Sequence, residues 1–353
     1  MNNIVLYNVY KKLNLINNNK QLFYLVWSYP LIFFTQHNYF RDYHIYNKDV
    51  YIHDFIKQNK ECIVLSSGAN WYWNDNKYRP NQHNLTVKGL NQFRLDYPNT
   101  RIILLHPDES FIEGYPSTFE YINFNRNALI DIQSYNIIED SKNDIYDAIY
   151  NANFYRYKRH DLIENIDELK IGLIYYHRIY THNTAYYIDN SEIKYGLERE
   201  SVFKNKKNFY LLNYFNGKYN FLNKTEVNNY YNQAKCGLCL SDVEGACLVS
   251  VEYLLAGLPV ISVKNVGGRD KFLKQMGQYS VTGIRPDPNE VEYYINEFKN
   301  KIFDRRSIRR KILYLIDKEW LELFDQLDNI GIYINNKEIF RDNFINIWKF
   351  YKL

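Results

Sequence analysis

The sequence predicts an α/β protein built from two doubly wound, Rossmann-like domains facing across a cleft. Residues 236–270 carry the first sign: CGLCLS reads as a buried strand, GACLVSVEYLLAG as a helix ending at Gly257, and LPVIS as a second buried strand. Together they make one strand–helix–strand unit of a parallel sheet. Strand and helix signals also alternate through the first part of the chain and restart after residue 144. With 353 residues, the length prior gives two domains and a sizeable core.

Taken in order, residues 3–9 are a candidate first strand, 22–27 a second, 62–65 a third and 101–106 a fourth. Residues 85–97 form a helix just before the fourth strand. Polar residues gather in EDSKND, 139–144, which places the domain boundary there. Residues 1–142 then form the N-terminal domain, 143–330 the C-terminal domain, and 331–353 a helical crossover segment. Beyond the boundary, 145–150 restart a strand pattern, 161–169 read as a helix and 171–176 as a further strand. From residue 289 the tail is helical, with breaks near Phe303 and Gly331.

Composition excludes several classes. The formal charge is +4, with 44 basic residues interleaved among 40 acidic ones, so no nucleic-acid partner is expected. The 36 tyrosines and 14 glycines fit a bias toward A/T-rich codons, although tyrosine also supplies carbohydrate-stacking surface. Four cysteines, Cys62, Cys236, Cys239 and Cys247, fall on or beside predicted buried elements, a reduced usage that points to the cytoplasm. Cys236 and Cys239 form a C-x-x-C by letter, but residues three apart on a strand face opposite ways and do not share a bond or metal. The longest apolar run, 22–34, is interrupted by Ser28 and Pro30 and is too short to span a bilayer. No signal-peptide pattern opens the chain, so no transmembrane segment is expected, while peripheral membrane contact stays open.

The chemistry concentrates around two carboxylates eight positions apart. Glu244 stands just before the predicted helix and is followed by Gly245 and Ala246, small enough to admit an anion to the N–H groups of Ala246, Cys247 and Leu248. Glu252 lies two turns further in, so that at 1.5 Å of rise per residue the pair spans roughly 12 Å, about the reach from a sugar hydroxyl across a diphosphate to a ribose. A site of that shape suits a nucleotide sugar. The plainer alternative makes Glu244 a turn residue and Glu252 a solvated position on a surface helix.

The run 244–252, then Ala256-Gly257-Leu258-Pro259-Val260 and the Gly267-Gly268 pair, resembles the E-x7-E signature of glycosyltransferase family 4-like retaining enzymes with the GT-B fold. The resemblance implies two Rossmann-like domains, an N-terminal one for the acceptor and a C-terminal one for a nucleotide diphosphate-sugar donor. It also implies a last helix, 339–350 with Trp348, returning to the N-terminal domain. Glu244 would then contact the donor sugar, the helix start the diphosphate, and Glu252 the ribose. The family's G-R-L-x-x-x-K-G loop implies a cationic clamp in which Lys158 takes the lysine place. Ala152 or Asn153 stands where the family has arginine, and Arg156 and Arg159 flank the lysine as replacements. The alternative is a solvated basic turn, although basic residues at a helix start oppose its dipole.

No D-x-D follows an apolar strand, so the expectation is chemistry without a bound metal or other cofactor, with cations and a helix dipole in its place. On the acceptor side, Asn70, Trp71 and Trp73 follow a strand, and His106 ends one, at the edge where open α/β sheets bind ligands. Aromatic rings stack on sugars, yet both tryptophans serve equally well to pin a loop, and His106 or His83 is by default a structural histidine. The glycine-rich loop that such enzymes carry after the first strand is missing near residues 9–13. The expected function is a retaining hexosyltransferase acting on a glycan, lipid or protein acceptor. Its rivals are a nucleotide-sugar-binding protein without transferase activity and a sugar-nucleotide epimerase.

Overall fold

The computed structural model describes residues 24–36, 40, 56, 61–67, 82–106, 118–139, 145–175 and 190–350. The candidate strand 3–9 and the acceptor candidates Asn70, Trp71 and Trp73 lie outside the described residues, as does the side chain of His83. The chain divides into two compact units, one of residues 1–129 with 317–353, the other of residues 130–316. The acidic run 139–144 thus falls within the span of the second unit.

In the first unit the described strands form a sheet in the order β1 (Tyr24–Ser28), β2 (Leu31–Gln36), β3 (Cys62–Ser67), β4 (Arg101–His106) and β5 (Glu120–Asn123). β1 and β2 are antiparallel and the other neighbours parallel. The apolar run 22–34 is therefore two strands, because Tyr29 and Pro30 make the turn between them. β3 and β4 are buried almost throughout, as parallel strands covered on both faces must be. β5 was not foreseen, its EYIN sequence being too short and polar to stand out.

Helix α1 (Gln82–Asp96) lays Leu90 and Phe93 against this sheet, where Phe93 meets Phe40 and Tyr97. The carboxyl-terminal part of the chain closes on the same unit. Trp320 donates to the Ala128 carbonyl at 3.1 Å, and Phe344 packs edge-on to Phe34 at 4.7 Å.

The second unit holds a six-stranded parallel sheet. Its strands are β6 (Ala148–Asn151), β7 (Ile171–Ile174), β8 (Phe209–Leu211), β11 (Gly237–Cys239), β12 (Val260–Val263) and β13 (Ser280–Ile284); a small hairpin supplies β9 (Tyr214–Phe215) and β10 (Lys218–Tyr219). The order is β13-β12-β11-β6-β7-β8. The chain starts at the centre with β6, winds outward to β8, then returns to β11 on the other side of β6. Between β6 and β11 the strand order reverses, which is where open α/β sheets form their ligand crevice.

Its helices are α2 (Asp161–Glu164), α3 (Asn190–Lys204), α4 (Lys224–Tyr231), α5 (Leu248–Leu255) and α6 (Pro288–Lys299). α2 is a single turn instead of the expected 161–169, since Asn165 ends it and Asp167 and Glu168 carry the chain through solvent toward β7. α4 begins on a capping box, Asn223 and Glu226 each accepting the other's backbone N–H. α7 (Arg305–Asn329) begins in the second unit and ends in the first, and α8 (Lys337–Phe350) follows. The breaks near Phe303 and Gly331 fall in the connections before and after α7.

Candidate donor site at the β6–β11 edge

The loops after β6 and β11 leave adjacent strands at the carboxyl edge of the sheet, paired through Ile149 and Gly237. After β6 the chain makes a short 3-10 turn over Arg156–Lys158, ended by Arg159 at φ 56°. The Tyr157 carbonyl accepts from the Asp242 N–H at 3.1 Å, tying this turn to the β11 loop, and the Tyr150 hydroxyl donates to the Lys158 carbonyl.

These ties bring together two residues expected to act at one site. Lys158 Nζ lies 2.6 Å from Glu244 Oε1, with side-chain exposures of 13% and 14%. Burial works against both charges. For Glu244 it is outweighed by the Lys158 ammonium and its hydrogen bond, the Ser241 hydroxyl and the Arg269 charge, which together hold the carboxyl below its ordinary value. For Lys158 burial lowers the ammonium, but Glu244 and the neighbouring Tyr157 hold it well above the ordinary lysine value. The site therefore presents an ionised carboxylate and an ammonium that neutralise each other.

Glu244 stands in a loop, not at a helix start. α5 begins at Leu248, with Cys247 as an N-cap that makes no side-chain hydrogen bond, so the helix expected from Gly245 opens three residues later. Backbone bonds from Glu244 N to Val266 O (3.1 Å) and from Arg269 N to Glu244 O (3.2 Å) hold the loop against the segment after β12. Gly267 makes that approach possible. Its φ is 128°, and a Cβ there would lie 2.4 Å from the Glu244 carbonyl oxygen. Gly268 opens the 3-10 turn that follows. Gly245, Ala246 and Cys247 are buried between Glu244 and α5, and Leu248 begins the first turn, in which the Ser250 N–H donates to the Cys247 carbonyl at 3.1 Å.

Glu252 is buried on α5 and is not a solvated surface carboxylate. It accepts from the Tyr231 hydroxyl at 2.9 Å, which in turn accepts from Asn151 Nδ2 at 2.6 Å, at the end of β6. The two flanking arginines are engaged on their own side of the turn. Arg156, 58% exposed, pairs with Glu192 at 3.2 Å and stacks over Tyr195, and Arg159 faces Asp161 at 3.7 Å. All four cysteines are free and buried.

Sequence reasoning missed Ser241 and Arg269. Ser241 Oγ donates to Glu244 Oε2 at 2.5 Å, and Arg269 reaches Ser241 from behind. An arginine next to an aspartate after a glycine pair was the available signal, and it looks like any surface pair until the chain folds. In the first unit His106 is buried at the end of β4, its ring 5.4 Å from that of Tyr121, and burial pushes it down to about 4, so it is neutral near pH 7. Among the described residues no group of three His, Cys, Asp or Glu side chains is placed to hold a metal ion, and no helix is long and apolar enough to cross a membrane.

Similar folds occur among solved structures. TarM shares 14% identity at a TM-score of 0.51, over 78% of this chain and 57% of that one. Sucrose-phosphate synthase from Thermosynechococcus elongatus shares 13% at 0.50, over 86% and 70%. A mutant of S. aureus TarM, in complex with fondaparinux, alpha-GlcNAc-glycerol and UDP, shares 14% at 0.50, over 78% and 57%. The chain thus spans little more than half the length of TarM. No curated protein sequence matches it. The two Rossmann-like units have the GT-B fold, and within the second unit residues 197–311 match the model of the family described as Glycosyl transferases group 1.

Proposed function

We propose that this protein is a retaining, metal-independent glycosyltransferase of the family 4-like type, moving a sugar from a nucleotide diphosphate-sugar to a glycan or other acceptor. The observation that carries the reading is the Lys158–Glu244 pair at the strand-order reversal between β6 and β11. The match of residues 197–311 to a glycosyltransferase family supports it, as does the UDP and glycan-like ligands of the S. aureus TarM mutant.

In this reading residues 143–330 take the donor and residues 1–142 the acceptor, with 331–353 as crossover. The diphosphate rests on the amides of Ala246, Cys247 and Leu248, beside Gly245, Gly267 and Gly268, with Lys158 leaving Glu244 to meet it. Charge on the departing diphosphate is then stabilised by an ammonium already held in a largely water-free site. Arg156 and Arg159 supply further positive charge at the rim. Glu244, released from Lys158, accepts hydroxyls of the donor sugar, and Glu252 accepts a ribose hydroxyl. The bond from the anomeric carbon to the phosphate oxygen breaks as that from the anomeric carbon to the acceptor oxygen forms on the same face. The acceptor's proton passes to the departing diphosphate.

The test is turnover of radiolabelled nucleotide sugars, with and without glycan acceptors, in the presence of excess EDTA. A transferase releases nucleoside diphosphate and glycosylated acceptor, and slowly hydrolyses donor alone. Binding without release would leave a nucleotide-sugar-binding protein, and interconversion of the sugar an epimerase. Transfer that stops in EDTA and returns with magnesium or manganese would overturn metal independence.

A further inference from the structure

We propose that Arg269 is a positioning residue of the donor site, setting the direction of the Ser241 hydroxyl and through it the orientation and charge of Glu244. The inference rests on the reading of Glu244 as the acceptor of donor-sugar hydroxyls. Arg269 is fully buried, yet it does not reach into the site. Nε donates to Asp270 Oδ1 at 2.8 Å; Nη1 to the Ser241 carbonyl at 2.5 Å and its hydroxyl at 3.1 Å; Nη2 to Ser262 Oγ at 2.6 Å and the Val263 carbonyl at 2.5 Å. A guanidinium has five N–H groups, and each has an acceptor here, so none is left for a diphosphate.

The polarity of the chain of bonds follows from that. Arg269 can only donate, so the Ser241 hydroxyl accepts from it and must spend its own hydrogen elsewhere. That hydrogen goes to Glu244 Oε2. With Lys158 on Oε1 and Ser241 on Oε2, the carboxylate has a donor on each oxygen and a fixed plane. Asp270 keeps the buried guanidinium neutralised, and its Oδ1 also accepts from Ser262 at 2.8 Å, so the arginine has one arrangement. Other groups acting on Glu244 or its partners are Tyr150 and Cys239, with Cys247 and Tyr157 acting on Lys158. Lys158, Ser241 and Arg269 favour the ionised carboxylate.

The experiment is a carbon-13 NMR titration of glutamate carboxyls, with Glu244 assigned by Glu244→Gln, on the parent, Ser241→Ala and Arg269→Lys. It needs no turnover, so it decides the inference even if the chain transfers no sugar. Arg269→Lys keeps the charge beside Asp270 but cannot hold Ser241 and Ser262 together. Both variants are expected to move the Glu244 titration upward from the parent value. A Glu244 titration unchanged in either variant overturns the proposal. Should Arg269→Lys fail to fold, Ser241→Ala decides alone, since it removes the hydroxyl relay and leaves the other Arg269 contacts in place. With an active donor, both variants should lower kcat on the order of tenfold to a hundredfold, the scale of a misplaced reacting geometry, with donor KM within about threefold. A purely structural arginine would instead lower the melting temperature and leave the titration and the acid limb of the rate profile where they were.

Discussion

Lys158 Nζ and Glu244 Oε1 sit 2.6 Å apart although 86 residues separate them in the chain. Each is the charge partner the other needs to remain ionised while largely buried. Removing one therefore does more than delete a ligand contact. Lys158→Ala leaves Glu244 short of its donor at a cost of about 1–3 kcal/mol, the penalty for an unsatisfied buried group. The double variant Lys158→Ala/Glu244→Ala should melt higher than the sum of the two single losses. Thermal melts of all four proteins check it, and strict additivity would show that the pair does not interact energetically.

The same variants separate roles in turnover. If Lys158 meets the leaving diphosphate as proposed, Lys158→Ala is expected to lower kcat more than it weakens donor binding, because negative charge grows there in the transition state. Arg156→Ala, which removes an exposed residue engaged with Glu192 and Tyr195, is expected to change kcat less than about threefold. Equal losses from both would place the clamp on the arginine side of the turn.

The pair also dictates a pH window for stability. Glu244 titrates below its ordinary value when folded, so its contribution is complete above the unfolded carboxyl range and is lost as pH falls through the folded value. Lys158 is raised, so its contribution is complete below the ordinary lysine range and fades as pH climbs through its higher folded value. Subtracting the melting profile of Glu244→Gln from that of the parent should give a flat difference at neutral pH that collapses on the acid side. A difference independent of pH would show that the carboxylate is not held in its charged form.

Two glycines offer a matched comparison. Gly267→Ala places a methyl against the Glu244 carbonyl, and Gly257→Ala places one 2.7 Å from Arg305 Cβ, behind α5. Both have positive φ, and both substitutions should cost about 1–3 kcal/mol of stability. Only Gly267→Ala should also reduce donor turnover, since it alone moves the Glu244 loop. Assays at a temperature where both variants are folded would show it, and equal activity in the two would detach Gly267 from the site.

Glu252 and Tyr231 test the ribose assignment. Tyr231→Phe removes the hydroxyl that lies 2.9 Å from Glu252 Oε2 and would compete with a ribose. If Glu252 holds the nucleotide, Glu252→Ala weakens nucleoside diphosphate binding about tenfold or more, as loss of a hydrogen bond to a charged group does, while Tyr231→Phe changes affinity in the other direction or not at all. Titration calorimetry with nucleoside diphosphates reads both, and parental affinity in Glu252→Ala would make this carboxylate a packing group only.

By itself the sequence determined the α/β alternation, because buried parallel strands must be continuous apolar runs and these are visible at 101–106, 171–174, 237–239 and 260–263. It also gathered the residues of the proposed donor site, since two glutamates, a small-residue loop and a glycine pair cluster within the 25 positions 244–268. It did not show β2, because the strand pattern ends at Trp27 and Ser28 and Pro30 interrupt the apolar run, or β5, whose residues alternate too briefly. Nor did it show that α5 starts at Leu248, because Gly245 and Ala246 look helix-compatible until the backbone bonds to Val266 and Arg269 claim the loop. Only the tertiary structure decided which charges meet. Lys158 joins Glu244 because β6 and β11 are neighbours at the strand-order reversal, and Arg269 is buried behind Ser241 because the loop after β12 folds back under it. Ion pairs and hydrogen bonds across strands depend on sheet order, and sheet order is set by packing over the whole unit, which no local run of residues encodes.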